Sequence, residues 1–272
     1  MGSFQLSFHA IGTKWTIDCY ETNHRKKDQI LFLIKNRSEE FDKTYSRFRK
    51  DSLISGISEK KGEYVFPKGD KRFFDFYEKL YKVTHGKFTL LIGKALNEAG
   101  YDSKYSLKSK KLHKIPENDE VFIYKHPKLS VKKPFTLDFG GLGKGYLIDI
   151  ISEILISEGI VSFSIDAGGD IFYKNLNGGH LRVGLENPLD FKQVIGVCEI
   201  INESICASSG SRRKWGKYHH IIDPTTLSSP QNILATWAIA KNAVTADAMS
   251  TCLFLTNSQT LQRHFSFEYL IL

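Results

Sequence analysis

The run LDFGGLGKGYLID at residues 137–149 constrains this chain more than any other segment. Glycines at 140, 141, 143 and 145 fall within six residues, directly ahead of an apolar stretch of helical period. The segment reads as a strand over 135–138, a glycine turn, and a helix over about 144–158 closed by Gly159. Bare backbone N–H groups at a helix N-terminus cradle phosphate well. The same missing side chains equally let a second backbone pack close. Neither GxxxxGK[ST] nor GxGxxG is present, so this is not a P-loop or a dinucleotide fingerprint. Lys144 favours the phosphate use, because a cation in the first helical turn opposes the helix dipole unless an anion sits there.

The rest of the chain alternates helical and strand patterns. Residues 4–20 alternate apolar and polar about Gly12-Thr13, as in a strand pair. Helical spacing follows over 27–45 and again over 71–84, where Gly86 ends it, with a polar, loop-like section at 46–58 between them. A lysine-rich stretch over about 103–134 reads as a surface excursion. A buried strand over 161–165, further strands over 181–185, 194–201, 204–208 and 234–240, and a helix from about 245 to 255 complete an α+β pattern. At 272 residues this is one domain over 1–272, a single compact body of mixed sheets and helices, with two closely joined subdomains as the alternative.

Composition narrows the function classes. The excess of 38 Lys+Arg over 30 Asp+Glu gives +8, which favours anionic ligands in general. No RNP, KH, zinc-finger or helix-turn-helix signature accompanies it, so no nucleic-acid partner is expected. The four cysteines form no CxxC, and no run of 18 apolar residues occurs. No charged segment followed by an apolar core opens the chain either. A cytoplasmic protein without stable membrane insertion is expected, an export signal ahead of Met1 being the alternative.

Three other clusters carry chemistry. Asp247 and Thr251 are four apart and share a helix face, a carboxylate and hydroxyl suited to Mg²⁺ or to a capping acid with an internally bonded threonine. His219-His220-Ile-Ile-Asp223 offers one imidazole to a given face of a strand, as a general base or as a structural histidine. Asp166-Ala-Gly-Gly-Asp170 is a tight turn with two acids, and Arg182 and the Ser208-Ser209-Gly210 turn add weaker anion contacts.

In this order the segments resemble the ApbE family, the FAD:protein FMN transferases, a T-fold-related α+β fold. The pattern D-x-G-G-x-x-K-G-Y-x-x-D is met by Asp138, Gly140, Gly141, Lys144, Gly145, Tyr146 and Asp149. N-A-G-G-D-I corresponds to Asp166 through Ile171, H-I-I-D-P-x-T to His220 through Thr226, and A-D-A-x-x-T to Ala246 through Thr251. Ser46-Arg47-Phe48 and Gly86-Lys87-Phe88 echo earlier segments of the family. The resemblance implies Mg²⁺-dependent transfer of FMN from FAD to a Thr or Ser hydroxyl of an acceptor flavoprotein, releasing AMP. It further implies metal ligands at Gly141 (by its carbonyl), Asp247 and Thr251, with His220 as the base. Flavin-nucleotide contacts are implied at Phe48, Lys87, Phe88, Thr89, Asp138, Lys144 and Ile221. The alternatives are an FAD pyrophosphatase giving FMN and AMP, and a non-catalytic flavin-binding protein. The sequence departs from the family at Thr89 (usually Asp), Ser58 (Asn), Asp166 (Asn) and Leu227 (Gly), changes that bear on FAD affinity more than on reaction class.

Overall fold

The computed structural model describes residues 2–22 and 26–272. At its centre is an antiparallel sheet of seven strands. Their spatial order is Gly2–Ala10, Thr13–Thr22, Phe163–Asp166, Ile171–Lys174, Glu203–Ser209, Ala235–Ala240 and Glu268–Ile271. The first two form the hairpin expected from the alternation over 4–20. Its turn uses Ile11 and Gly12 at φ 42° and 80°, the left-handed pair that matches strand twist.

Period-two alternation assigns the two faces of the sheet. Thr236, Cys206 and Ser208 turn toward the helix Ala243–Cys252: the Thr236 hydroxyl donates to the Ser250 carbonyl at 2.6 Å, and Ser208 Oγ meets Ser250 Oγ at 2.9 Å. The helices Lys27–Tyr45 and Gly143–Ser157 join that layer, and their Ile30, Ile34, Leu147 and Ile151 share one core with Trp15, Ile17 and Met249. Full burial of side chains this size stabilises by about 1.5–3 kcal/mol each. On the opposite face Ile205 and Trp237 pack with Leu185 and Ile200 of a long hairpin, Leu181–Asn187 and Asp190–Ile200. A smaller sheet, Gly62–Val65, Lys128–Val131 and Phe122–Lys125, packs beside the helix Lys71–Val83 through Phe74 and Tyr124, whose ring centroids are 4.7 Å apart.

Three local expectations fail for identifiable reasons. The stretch 103–134 is not a surface excursion throughout, because its second half supplies the strands Phe122–Lys125 and Lys128–Val131 and buries Val121, Leu129 and Val131 in the core. The polar section 46–58 contains the helix Leu53–Glu59. Ser52 caps it by accepting from the Ser55 N–H at 3.1 Å, and Ile54 and Ile57 are buried three apart on its inner face. Residues 135–138 form no strand of any sheet. They lie against the start of the helix Gly93–Ala99, where the Asp138 N–H donates to the Leu90 carbonyl at 2.8 Å. A methyl on Gly93 would sit 2.7 Å from the Thr136 carbonyl oxygen, so that approach needs glycine. Among the described residues no helix is long and apolar enough to cross a membrane.

Candidate active site

The glycine turn and the acid-bearing helix are built as one unit. Asn242 caps the helix Ala243–Cys252 from outside, accepting from the Thr245 N–H at 3.1 Å. Asp149, two turns into the Gly143–Ser157 helix, accepts from the Ala243 and Val244 N–H groups at 2.8 and 3.0 Å. The two helices touch at Gly145, where a methyl would fall 2.2 Å from the Ala243 carbonyl oxygen and 2.8 Å from Asp247 Cβ. Asp247 is buried there and its Oδ2 accepts the Gly145 N–H at 2.9 Å. Burial raises the Asp247 pKa, and Lys144 and the Gly145 N–H oppose that rise. Thr251 follows one turn later, its hydroxyl 3.4 Å from Ser208 Oγ. Gly141 backs onto it so closely that a methyl would lie 3.1 Å from Thr251 Cγ2 and 3.0 Å from the Phe88 ring. Asp247, Thr251 and Gly141 thus line the cavity side by side, and the groups they can offer a cation are oxygens. Among the described residues no group of three or more His, Cys, Asp or Glu could hold a metal. A hard cation such as Mg²⁺ fits this sparse set, because it keeps few protein ligands and completes its shell with water or ligand oxygens.

Charged side chains around the turn are already committed. Lys144 ion-pairs with Asp170, which is buried and also accepts the Ala207 N–H at 3.2 Å. Asp138 takes the Gly140 N–H at 2.7 Å on one oxygen and Arg47 Nε on the other. Lys87 Nζ lies 3.6 Å from Asp223 Oδ2, and Asp223 in turn caps the Thr225 N–H at 2.7 Å. Phe88 is buried against the turn, and Thr89 spends its hydroxyl on the Leu91 N–H at 3.1 Å.

The two adjacent histidines differ sharply. His219 is buried, with Nε2 donating to the Pro230 carbonyl at 2.8 Å and Nδ1 accepting the Ile221 N–H at 3.3 Å. It is a structural residue that fixes Ile221. His220 is half-buried and its Nδ1 has no hydrogen-bond partner. Burial, helped by Arg213, His219 and Lys144, pushes its imidazole down to about 3, so it is neutral at physiological pH.

A cavity of about 640 Å³ gathers these groups. His220, Asp247, Thr251 and Gly141 line it together with Phe48, Lys87, Phe88, Thr89, Asp138, Lys144 and Ile221. Its size and its aromatic walls are those of a small-molecule site, and the many charged side chains among its lining suit a polar, anionic ligand.

A family model described as the ApbE family matches residues 11–268. The chain belongs to the ApbE family. A Buchnera aphidicola (subsp. Schizaphis graminum) protein named FAD:protein FMN transferase is 26% identical over 280 residues, covering 93% of this chain and 80% of its own length. The Escherichia coli K12 protein of that name is 23% identical over 278 residues, covering 92% and 77%. Among solved structures, flavin transferase ApbE from Vibrio cholerae matches with a TM-score of 0.82 at 21% identity, over 99% of this chain and 93% of that one. The ApbE protein of Thermotoga maritima gives 0.83 at 20%, over 99% and 94%. At these identities the structural likeness establishes the ApbE fold.

Within this ApbE chain the cavity also holds residues the sequence did not single out. Arg47 and the pair Arg212-Arg213 supply cations, and Tyr101 and Tyr105 supply aromatic wall. The signals were slight: Arg47 within the Ser46-Arg47-Phe48 echo of the family, a basic pair just after the Ser209-Gly210 turn, and two tyrosines at the edge of the lysine-rich stretch. Asp170 stood out as a turn acid, but nothing in its spacing names Lys144 as its partner. Of the departures from the ApbE pattern, Leu227 sits at φ 55°, a left-handed position that explains a glycine there. Ser58 donates to the Ser55 carbonyl at 2.7 Å and Asp166 caps the Gly169 N–H at 2.8 Å, and neither lines the cavity.

Proposed function

We propose that this chain transfers FMN from FAD to a Thr or Ser hydroxyl of an acceptor flavoprotein, forming a phosphodiester and releasing AMP. The convergence of oxygen donors on Asp247, Thr251 and Gly141, the Lys144 ammonium paired to Asp170, and the His220 imidazole on one cavity carries this reading. The name shared by the Buchnera and Escherichia relatives supports it. Asp247, Thr251 and the Gly141 carbonyl would hold Mg²⁺, which when bound neutralises charge on the pyrophosphate oxygens. Lys144, turned into the cavity beside the glycine turn, adds a cation for the same phosphates, and Asp170 keeps it in place. Phe48, Phe88, Lys87, Thr89, Asp138 and Ile221 bound the space for the flavin nucleotide.

His220 takes the proton. The acceptor hydroxyl oxygen bonds to the FMN phosphorus while the bond from that phosphorus to the bridging oxygen breaks. AMP departs with the bridging oxygen, and the hydroxyl proton passes to the His220 imidazole. A neutral imidazole is ready to accept, and anionic phosphates brought beside it raise its basicity above that of the empty site. Four thiols without disulfides suit a reducing compartment, and we place the protein in the cytoplasm.

Titrating the protein into FAD and following flavin fluorescence, with and without Mg²⁺, tests the binding half directly. Saturable binding that tightens with Mg²⁺ is the expected result. FAD left unbound at millimolar protein would remove the proposal.

A further inference from the structure

Arg47 is gripped on almost every side. Its Nε pairs with Asp138 and its Nη1 donates to Asn97 Oδ1 at 2.7 Å. The guanidinium lies 4.2 Å from the Phe48 ring centroid and 5.1 Å from that of Tyr101. The side chain is only 4% exposed, yet Nη2 has no hydrogen-bond partner. A buried donor left unpaired is destabilising, and native proteins rarely retain one without a use. Arg47 lines the cavity, and a ligand that displaces the cover over Nη2, an atom closed to solvent in this structure, is the natural acceptor.

The surroundings say what kind of ligand. Phe48 and Tyr105 stack at 5.8 Å and 12°, and Tyr101 meets both rings edge-on at 79° and 89°. Tyr105 and Leu107 are held at φ 48° and 52°, left-handed positions that side chains other than glycine rarely adopt. Asp102 keeps that loop in shape, accepting from the Lys104 and Ser106 N–H groups at 2.9 and 3.1 Å. A strained loop that delivers an exposed tyrosine over an aromatic wall fits a site for a flat ring.

We propose that Arg47 is a specificity-determining residue. Its Nη2–H donates to an acceptor atom of a heteroaromatic ring seated against Phe48, Tyr101 and Tyr105. Asp138 and Asn97 are positioning residues that aim the guanidinium and do not themselves read the ring. The inference rests on the flavin-nucleotide reading of this cavity. FAD carries two candidate rings, the flavin pyrimidinedione and adenine, and both offer acceptors.

Arg47→Lys keeps the charge beside Asp138 and removes the forked donor. Binding of FAD, FMN and AMP to the native chain and to this variant, by calorimetry with Mg²⁺ present, is the test. Loss of a hydrogen bond from a charged donor should weaken FAD roughly 10- to 100-fold. The same loss should appear with FMN or with AMP but not with both, which names the ring. Tyr105→Leu, an exposed change, should weaken that same fragment, and it decides the matter if Arg47→Lys has no folding transition. A native chain that binds no FAD defeats the functional reading and this inference with it. Native binding of FAD, with affinity unchanged in the folded variants, overturns the role of Arg47 alone.

Discussion

Gly143→Ala and Gly145→Ala lie two residues apart on one helix, and the structure sets them in opposite directions. Both gain helix propensity, worth up to about 1 kcal/mol for alanine over glycine. At position 143 the new methyl meets Phe139 Cβ at 3.6 Å and Phe41 Cζ at 3.7 Å, ordinary contact distances. That variant should match the native chain or exceed it by up to about 1 kcal/mol. At 145 the methyl would overlap the Ala243 carbonyl at 2.2 Å, an atom on a packed backbone that has nowhere to move. Overpacking of this kind costs about 1–3 kcal/mol. Separating the helices also breaks the Gly145 N–H to Asp247 bond, a charged hydrogen bond worth about 1.5–3 kcal/mol. After a propensity gain of about 1 kcal/mol the net loss is roughly 1.5–5 kcal/mol, or a melting temperature lower by roughly 3–20 °C. Thermal unfolding of the three proteins, without ligand and in one buffer, reads this out. If Gly145→Ala melts together with or above Gly143→Ala, the close helix crossing that positions Asp247 is wrong.

Further substitutions probe the individual roles. Asp247→Ala should abolish flavin transfer, and EDTA should do the same to the native protein; full turnover in EDTA would reject the metal assignment. Lys144→Ala should weaken FAD about 10- to 100-fold, measured by calorimetry, and should also lower the melting temperature because Asp170 is left buried without its cation. His220→Ala should slow transfer about 10²–10⁴-fold while FAD still binds, whereas His219→Ala should show chiefly as a lower melting temperature, since its ring bonds Pro230 and Ile221. Burial pushes the Asp149 carboxyl up to about 7, so the folded state holds a proton there that the unfolded chain releases near pH 4. Its contribution to stability is therefore present below pH 4 and lost as pH rises through 7; metal-free native protein should lose stability relative to Asp149→Asn across that window, and parallel curves would refute the assignment.

Long, strongly periodic elements were readable from the sequence because one buried stripe fixes both type and face. The helix Lys27–Tyr45 and the Gly143–Ser157 helix closed by Gly159 are examples, as is the opening hairpin. Short elements were not. The helix Leu53–Glu59 buries only two residues, and its start depends on a serine cap inside an otherwise polar run. The strand Glu268–Ile271 is an edge strand with every residue exposed, so no alternation marks it. At the site, the motifs named in the sequence lie on segments that share one cavity, but their pairings stayed hidden. Asp170 lies 26 residues from Lys144 and Arg47 lies 91 from Asp138, separations that carry no local signal. The glycines of the turn differ in their surroundings: Gly145 serves helix packing, while Gly141 faces Thr251 and the cavity.

The most direct test of flavin transfer is a balance of products. The protein is incubated with FAD, Mg²⁺ and an acceptor flavoprotein carrying the target Thr or Ser. Covalent flavin is then measured by in-gel fluorescence and AMP by chromatography. Equal amounts of the two, neither formed without acceptor, are expected. AMP and free FMN released at full rate without any acceptor would instead make water the nucleophile and contradict transfer as the function of this site.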